Sequence, residues 1–157
     1  MTSPDQQNIP TKADIRFCED QIKQRLYDWY LIQHIIPVEN DDKRFARLGW
    51  LALAAELSQI RHIVTESTIG LIRMAWWRDR LEGLSTTDYS TFKNPVLRVL
   101  KCALENGENF DFEPLLNLYE QTVDQSRIDT FDKLEAYAIK RTNCLAAGAF
   151  SHALNDT

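Results

Sequence analysis

The chain has 157 residues, with 18 Lys and Arg against 23 Asp and Glu, a formal net charge of −5. Hydrophobic residues at 44% and charged residues at 26% match the averages of soluble globular proteins, which excludes a disordered, collagenous or low-complexity chain. A domain of this size buries enough surface to fold without a metal or a disulfide.

The basic residues are scattered, so no nucleic-acid partner is expected. Cys18, Cys102 and Cys144 are odd in number, far apart and without a C-x-x-C pair. They suggest neither a disulfide framework nor a thiolate metal site, and a reducing, cytoplasmic setting is expected. Residues 1–10 are polar, with no basic n-region and no apolar h-region, and read as a flexible tail without a secretory signal ahead of one helical domain over 11–157. No apolar run approaches the ~20 residues that cross a bilayer, although peripheral contact with a membrane surface stays compatible.

Gly and Pro punctuate the sequence where helices start and stop. Thr11 and Asp14 form a capping-box pattern, and Ile15, Cys18, Ile22, Leu26, Trp29 and Ile32 predict one helix running to Pro37. Asn40, Asp41 and Asp42 offer caps for a second helix over Lys43–Val64, apolar almost all round between Leu48 and Leu57 and therefore central. Ser67 or Thr68 caps a third, which places Ile69, Ile72, Trp76 and Trp77 on one broad face and ends near Gly83. A polar loop over Ser85–Lys93 follows. Asn94-Pro95 opens a fourth helix that stops at Asn106-Gly107. Asp111–Pro114 opens a fifth, ending near Asp124. A sixth starts around Thr130 and carries Phe131, Leu134, Tyr137, Ala138, Leu145 and Phe150. With no strand pattern, the fold class is all-α, a bundle of mostly antiparallel neighbours. Leu145, Ala146, Ala147, Ala149, Phe150, Ala153 and Leu154 make the sixth helix strongly apolar, so it either packs back into the bundle or faces a protein partner or a second copy.

The most distinctive stretch runs from Leu53 to Gly83 and contains Arg73, Trp76, Trp77 and Arg78 in the pattern R-x-x-W-W-R. It resembles the squalene and phytoene synthase family, in which an alanine-rich helix ends at an aspartate motif and the next helix carries this pattern. Asn94-Pro95-Val96 is similar to the family's H-P-V start, and Leu134, Glu135 and Tyr137 to its E-L-x-x-Y helix. The likeness spans about Cys18 to Leu154. It is closest to the non-synthase branch that includes a mitochondrial complex I assembly factor, through Glu56–Glu66 and Thr68–Met74.

The resemblance implies the N-terminal portion of the isoprenoid-synthase fold. In active members Mg²⁺ ions, held by aspartates spaced along a helix face, neutralise the diphosphate that leaves an allylic carbon. Here the register through Ile63, Val64 and Glu66 puts Arg61 and Thr65 where the first motif's aspartates belong, with His62 beside them and Ser58 in place of a preceding basic residue. Neither Arg nor Thr replaces a Mg²⁺-binding carboxylate, and the register places the second aspartate motif after Thr157.

Substitutes are scarce. Glu120 and Asp124 stand four apart on the fifth helix, the spacing of a metal pair but equally of a solvated face. His62 and Glu66 have the same spacing, yet two ligands do not make a catalytic metal site. Trp76 and Trp77 diverge by about 100° on a helix, so one is expected buried and the other half-exposed, as packing residues or as the wall of a cavity or partner surface. Arg73 and Arg78 either pair with surface acids or, with Arg61, contact an anionic headgroup or diphosphate. Tyr137 aligns with a tyrosine near the substrate of active synthases, and a core tyrosine accounts for it equally. No nucleophile elbow or nucleotide loop is present.

The reading is a catalytically degenerate family member serving as a binding or assembly module, within complex I assembly on the strength of the resemblance. It has no confident catalytic residue, no metal site and no cofactor. A protein partner or second copy is expected on the C-terminal helix, and an isoprenoid or lipid ligand is compatible. The alternative is the N-terminal part of a prenyltransferase that joins prenyl diphosphates with Mg²⁺.

Overall fold

The computed structural model describes residues 8–124 and 128–150. They form seven α-helices: α1 Lys12–Arg25, α2 Tyr27–Ile35, α3 Asp41–Ile63, α4 Ser67–Glu82, α5 Pro95–Glu105, α6 Glu113–Asp124 and α7 Phe131–Ala149, with one 3-10 turn at Tyr89–Thr91. No strand occurs among the described residues. The caps follow local chemistry. Thr11 and Asp14 close a reciprocal capping box, Asn40 accepts from the Lys43 N–H, and Asn94 precedes Pro95 at the first position of α5. Gly107, at φ +94°, supplies the left-handed residue after α5.

Helix α3 is the axis of the bundle and touches α1, α4, α5, α6 and α7. Every residue from Ala46 to Ala55 is buried, as its apolar circumference predicts. One tight approach fixes where α7 lies. A Cβ on Gly148 would fall 1.9 Å from the Trp50 ring, so α7 crosses α3 where only a glycine fits. The same run holds a charge. Arg47, 7% exposed, donates to the carbonyls of Ile36 at 2.6 Å, Pro37 at 3.4 Å and Ala149 at 3.2 Å. Its guanidinium lies 4.6 Å from the Phe150 ring centroid. One cation thereby satisfies carbonyls just beyond α2 and at the end of α7, where the helix dipoles favour positive charge.

Three expectations change. The first predicted helix is two: at Leu26 (φ −132°, ψ 53°) the chain turns, although Leu26 N–H still reaches the Ile22 carbonyl at 2.7 Å and Tyr30 N–H the Leu26 carbonyl at 2.9 Å. The turn lets both Leu26 and Trp29 reach the interior, Trp29 against Phe150 at 6.2 Å, and these two bonds carry the chain across it. The third predicted helix is capped at Glu66, with no side-chain hydrogen bond, rather than by Ser67 or Thr68. Its buried stripe is Gly70, Met74, Trp77 and Leu81, whereas Ile69, Ile72 and Trp76 are exposed. Gly70 explains the rotation: a Cβ there would meet Val123 at 2.4 Å, so the small residue, not the isoleucines, receives α6. In α7 Leu145 and Ala149 pack inward, but Phe131, Leu134 and Ile139 are exposed. Ala153 and Leu154 lie outside the described residues.

A cleft between α3 and α4

Positions 56, 59, 60 and 63 form one stripe of α3, and 73, 76 and 77 one stripe of α4. Where the stripes face each other, Glu56, Gln59, Ile60 and Ile63 meet Arg73, Trp76 and Trp77 across a cleft of about 230 Å³ that Asn94 also lines. The two indoles behave as their 100° offset requires: Trp77 is 6% exposed and Trp76 43%. They meet edge to face, with centroids 5.1 Å apart and planes at 82°, an arrangement aromatic pairs prefer. Arg80 lies over Trp76 at 5.6 Å from its centroid.

Glu56 carries the cleft's carboxylate. It is ion-paired with Arg25 at 3.8 Å, a separation longer than a hydrogen bond, and no hydrogen bond to its side chain occurs among the described residues. Burial raises its pKa, against the opposing charge of Arg25. Sequence reasoning did not single out Glu56 or Gln59. The available signal was a lone carboxylate inside the apolar run Leu48–Leu57.

The other candidate residues do not converge on this cleft. Arg61 lies on a different stripe of α3, exposed, and acts on Tyr137 of α7. That phenol is half-buried, and its pKa is raised by burial and opposed by the charges of Arg141 and Arg61. Arg78 points to α6, where it donates to Glu113 at 2.6 Å, Glu120 at 2.8 Å and Asn117 at 3.4 Å. Glu120 is thus engaged by an arginine, and the side chain of Asp124 lies outside the described residues. His62 and Glu66 do not share a helix, because α3 ends at Ile63 and Glu66 caps α4.

Thr65 sits in the exposed bend between α3 and α4, four residues after Arg61 but outside its helix. The pair offers a hydroxyl and a guanidinium where Mg²⁺ demands carboxylate oxygens, so these residues do not fit the metal. Among the described residues no group of three or more His, Cys, Asp or Glu side chains converges to hold an ion. Ser58 is turned into its own helix, donating to the Ala55 carbonyl at 2.7 Å. Burial pushes the Cys18 thiol up to about 12 and the Cys102 thiol to about 11, so neither is a thiolate nucleophile near neutrality. Among the described residues no helix is long and apolar enough to cross a membrane.

Comparison with known proteins bears on this arrangement. The chain is 35% identical over 69 residues to bovine (Bos taurus) "NADH dehydrogenase (ubiquinone) complex I, assembly factor 6", an alignment covering 44% of this chain and 20% of that protein. The human (Homo sapiens) protein of the same name is 34% identical over 68 residues, covering 43% and 20%. The alignments thus span about a fifth of these relatives' length. No solved structure matches. The squalene/phytoene synthase family model matches residues 37–148, from the entry to α3 to the last turn of α7, and the chain belongs to that family.

Proposed function

We propose that this chain is a catalytically degenerate squalene/phytoene-synthase-family member that works as a binding or assembly module, in the assembly of respiratory complex I. The observation that carries the reading is the chemistry at the end of α3. By the register of the resemblance the family's metal-binding positions fall at Arg61 and Thr65, Ser58 one turn earlier is turned into its own helix, and Arg78 is committed to acids of α6. Without a carboxylate cage for Mg²⁺ among the described residues, the charge that develops on a departing diphosphate is not offset by metal there. The relatives named as complex I assembly factors support the module reading over the prenyltransferase one. Exposed apolar side chains on α4 and the first half of α7 suit protein contact, and the free thiols of Cys18, Cys102 and Cys144 suit a reducing compartment.

The test is turnover. The purified chain, incubated with farnesyl or geranylgeranyl diphosphate and Mg²⁺, is expected to give no coupled prenyl product and no released pyrophosphate. Metal-dependent release of pyrophosphate would overturn the reading.

A further inference from the structure

Glu56 is three-quarters buried, its side chain 24% exposed and ion-paired with Arg25 at 3.8 Å, and it accepts no hydrogen bond within the described fold. Partly buried carboxylates ordinarily accept at least one hydrogen bond, and an ion pair at this separation leaves both oxygens open to a donor. Arg25, which stands nearest, is itself incomplete: its Nη1 is buried and without a hydrogen-bond partner. The geometry leaves the carboxylate lining a cleft with Ile60, Ile63, Trp76 and Trp77 as its apolar walls and Gln59, Arg73 and Asn94 as its polar ones. An acceptor under a collar of indole and isoleucine suits a group with a flat cationic head and an apolar stem. Trp76 already accommodates such a head, with Arg80 over its ring at 5.6 Å.

We propose that the α3–α4 cleft is an anchor site for an arginine side chain of a protein partner, its guanidinium donating to Glu56 and its methylenes held among Ile60, Ile63, Trp76 and Trp77. The proposal deepens the binding-module reading and rests on it. Arg is preferred to Lys because a planar fork stacks on indole and reaches both carboxylate oxygens. Arg73 at the rim repels a second cation, so the partner presents one arginine on a neutral or acidic surface. An anionic bilayer is the competing cover for Ile69, Ile72 and Trp76. The net charge of −5 and the carboxylate in the cleft both oppose it.

The four tryptophans make the experiment direct. Indole N–H signals of the full chain are followed by NMR during titration with Nα-acetyl-arginine amide, the neutral Nα-acetyl-norleucine amide and the acidic Nα-acetyl-glutamate amide. The arginine compound is expected to shift Trp76 and Trp77 and to bind about tenfold more tightly than the neutral one, the ratio one charge-assisted hydrogen bond supplies. Glu56→Gln is expected to erase that preference, and Trp76→Ala, an exposed change that leaves folding intact, to weaken binding of both. Equal or tighter binding of the norleucine or glutamate compound would overturn the proposal. So would no binding of any, a preference that survives Glu56→Gln, or Trp76 shifts seen only with phosphatidylglycerol vesicles. Turnover of a prenyl diphosphate would instead defeat the module reading itself, so the two failures are distinct.

Discussion

On the side of the bundle where α3 meets α1 and α5, large apolar chains such as Ile22, Leu51, Leu97 and Leu100 are at most 2% exposed. Along α4 and the first half of α7, Ile69, Ile72, Phe131, Leu134 and Ile139 are 44–76% exposed. Both regions are helical, and both are rich in the same residue types. What differs is the spacing of small residues. Gly49, whose Cβ would stand 2.9 Å from Leu100, lets α5 close down on α3, and the alanines of α3 do the same along its length. On α4 the only comparable notch, Gly70, faces α6, which turns the isoleucines away from it. A closed face stabilises the fold, and an open one is surface for a partner.

The tryptophan pair gives the sharpest way to break this comparison, since Trp76 and Trp77 are adjacent and identical in chemistry. Trp77→Ala removes a buried indole and is expected to cost about 4 kcal/mol, seen as a large drop in the urea midpoint. A cost near that of a surface change would mean that α4 is not held to the bundle through this residue.

The closed side has an electrostatic latch with an intermediate expected effect. Asp14 is 1% exposed and accepts from Arg98 Nε at 3.0 Å as well as from the Thr11 N–H at 3.0 Å and hydroxyl at 2.8 Å. Burial raises its pKa, but the hydrogen bonds from Arg98 and Thr11 prevail and hold it below 3.8. A carboxyl depressed in the folded state contributes stability that is complete above its unfolded pKa and is lost as the pH falls through the folded one. The wild type is therefore expected to lose this contribution below pH 3.8. Asp14→Asn is expected to cost about 2 kcal/mol at neutral pH and to flatten the acid limb of a stability-against-pH curve. An unchanged acid limb would remove the latch from the account.

The smallest effect is expected on the open side. Trp76→Ala, at a position 43% exposed, should change stability by no more than about 0.5 kcal/mol in the same urea titration. A cost as large as that of Trp77→Ala would show that this face is closed in solution, by a second copy or by the bundle itself.

Sequence by itself determined the all-α class, the family and most helix ends, because those follow from local chemistry: Thr11 with Asp14, Asn40, Asn94-Pro95 and Gly107 each act within a few residues of where they stand. The burial of α3 was equally legible, since an apolar circumference has no other place to go. Periodicity continued without a break through Leu26, so the turn between α1 and α2 was not. It is set by where Trp29 finds Phe150, far along the chain. The same holds for α4, whose isoleucines match a core pattern but are rotated outward by the contact of Gly70 with Val123. The cleft around Glu56 belongs to this second class. A lone acid in an apolar run is visible in one dimension, but whether it is paired, solvated or left facing Trp76 and Trp77 depends on how two helices cross. Only long-range packing decides that, because burial and hydrogen-bond satisfaction are properties of neighbours in space.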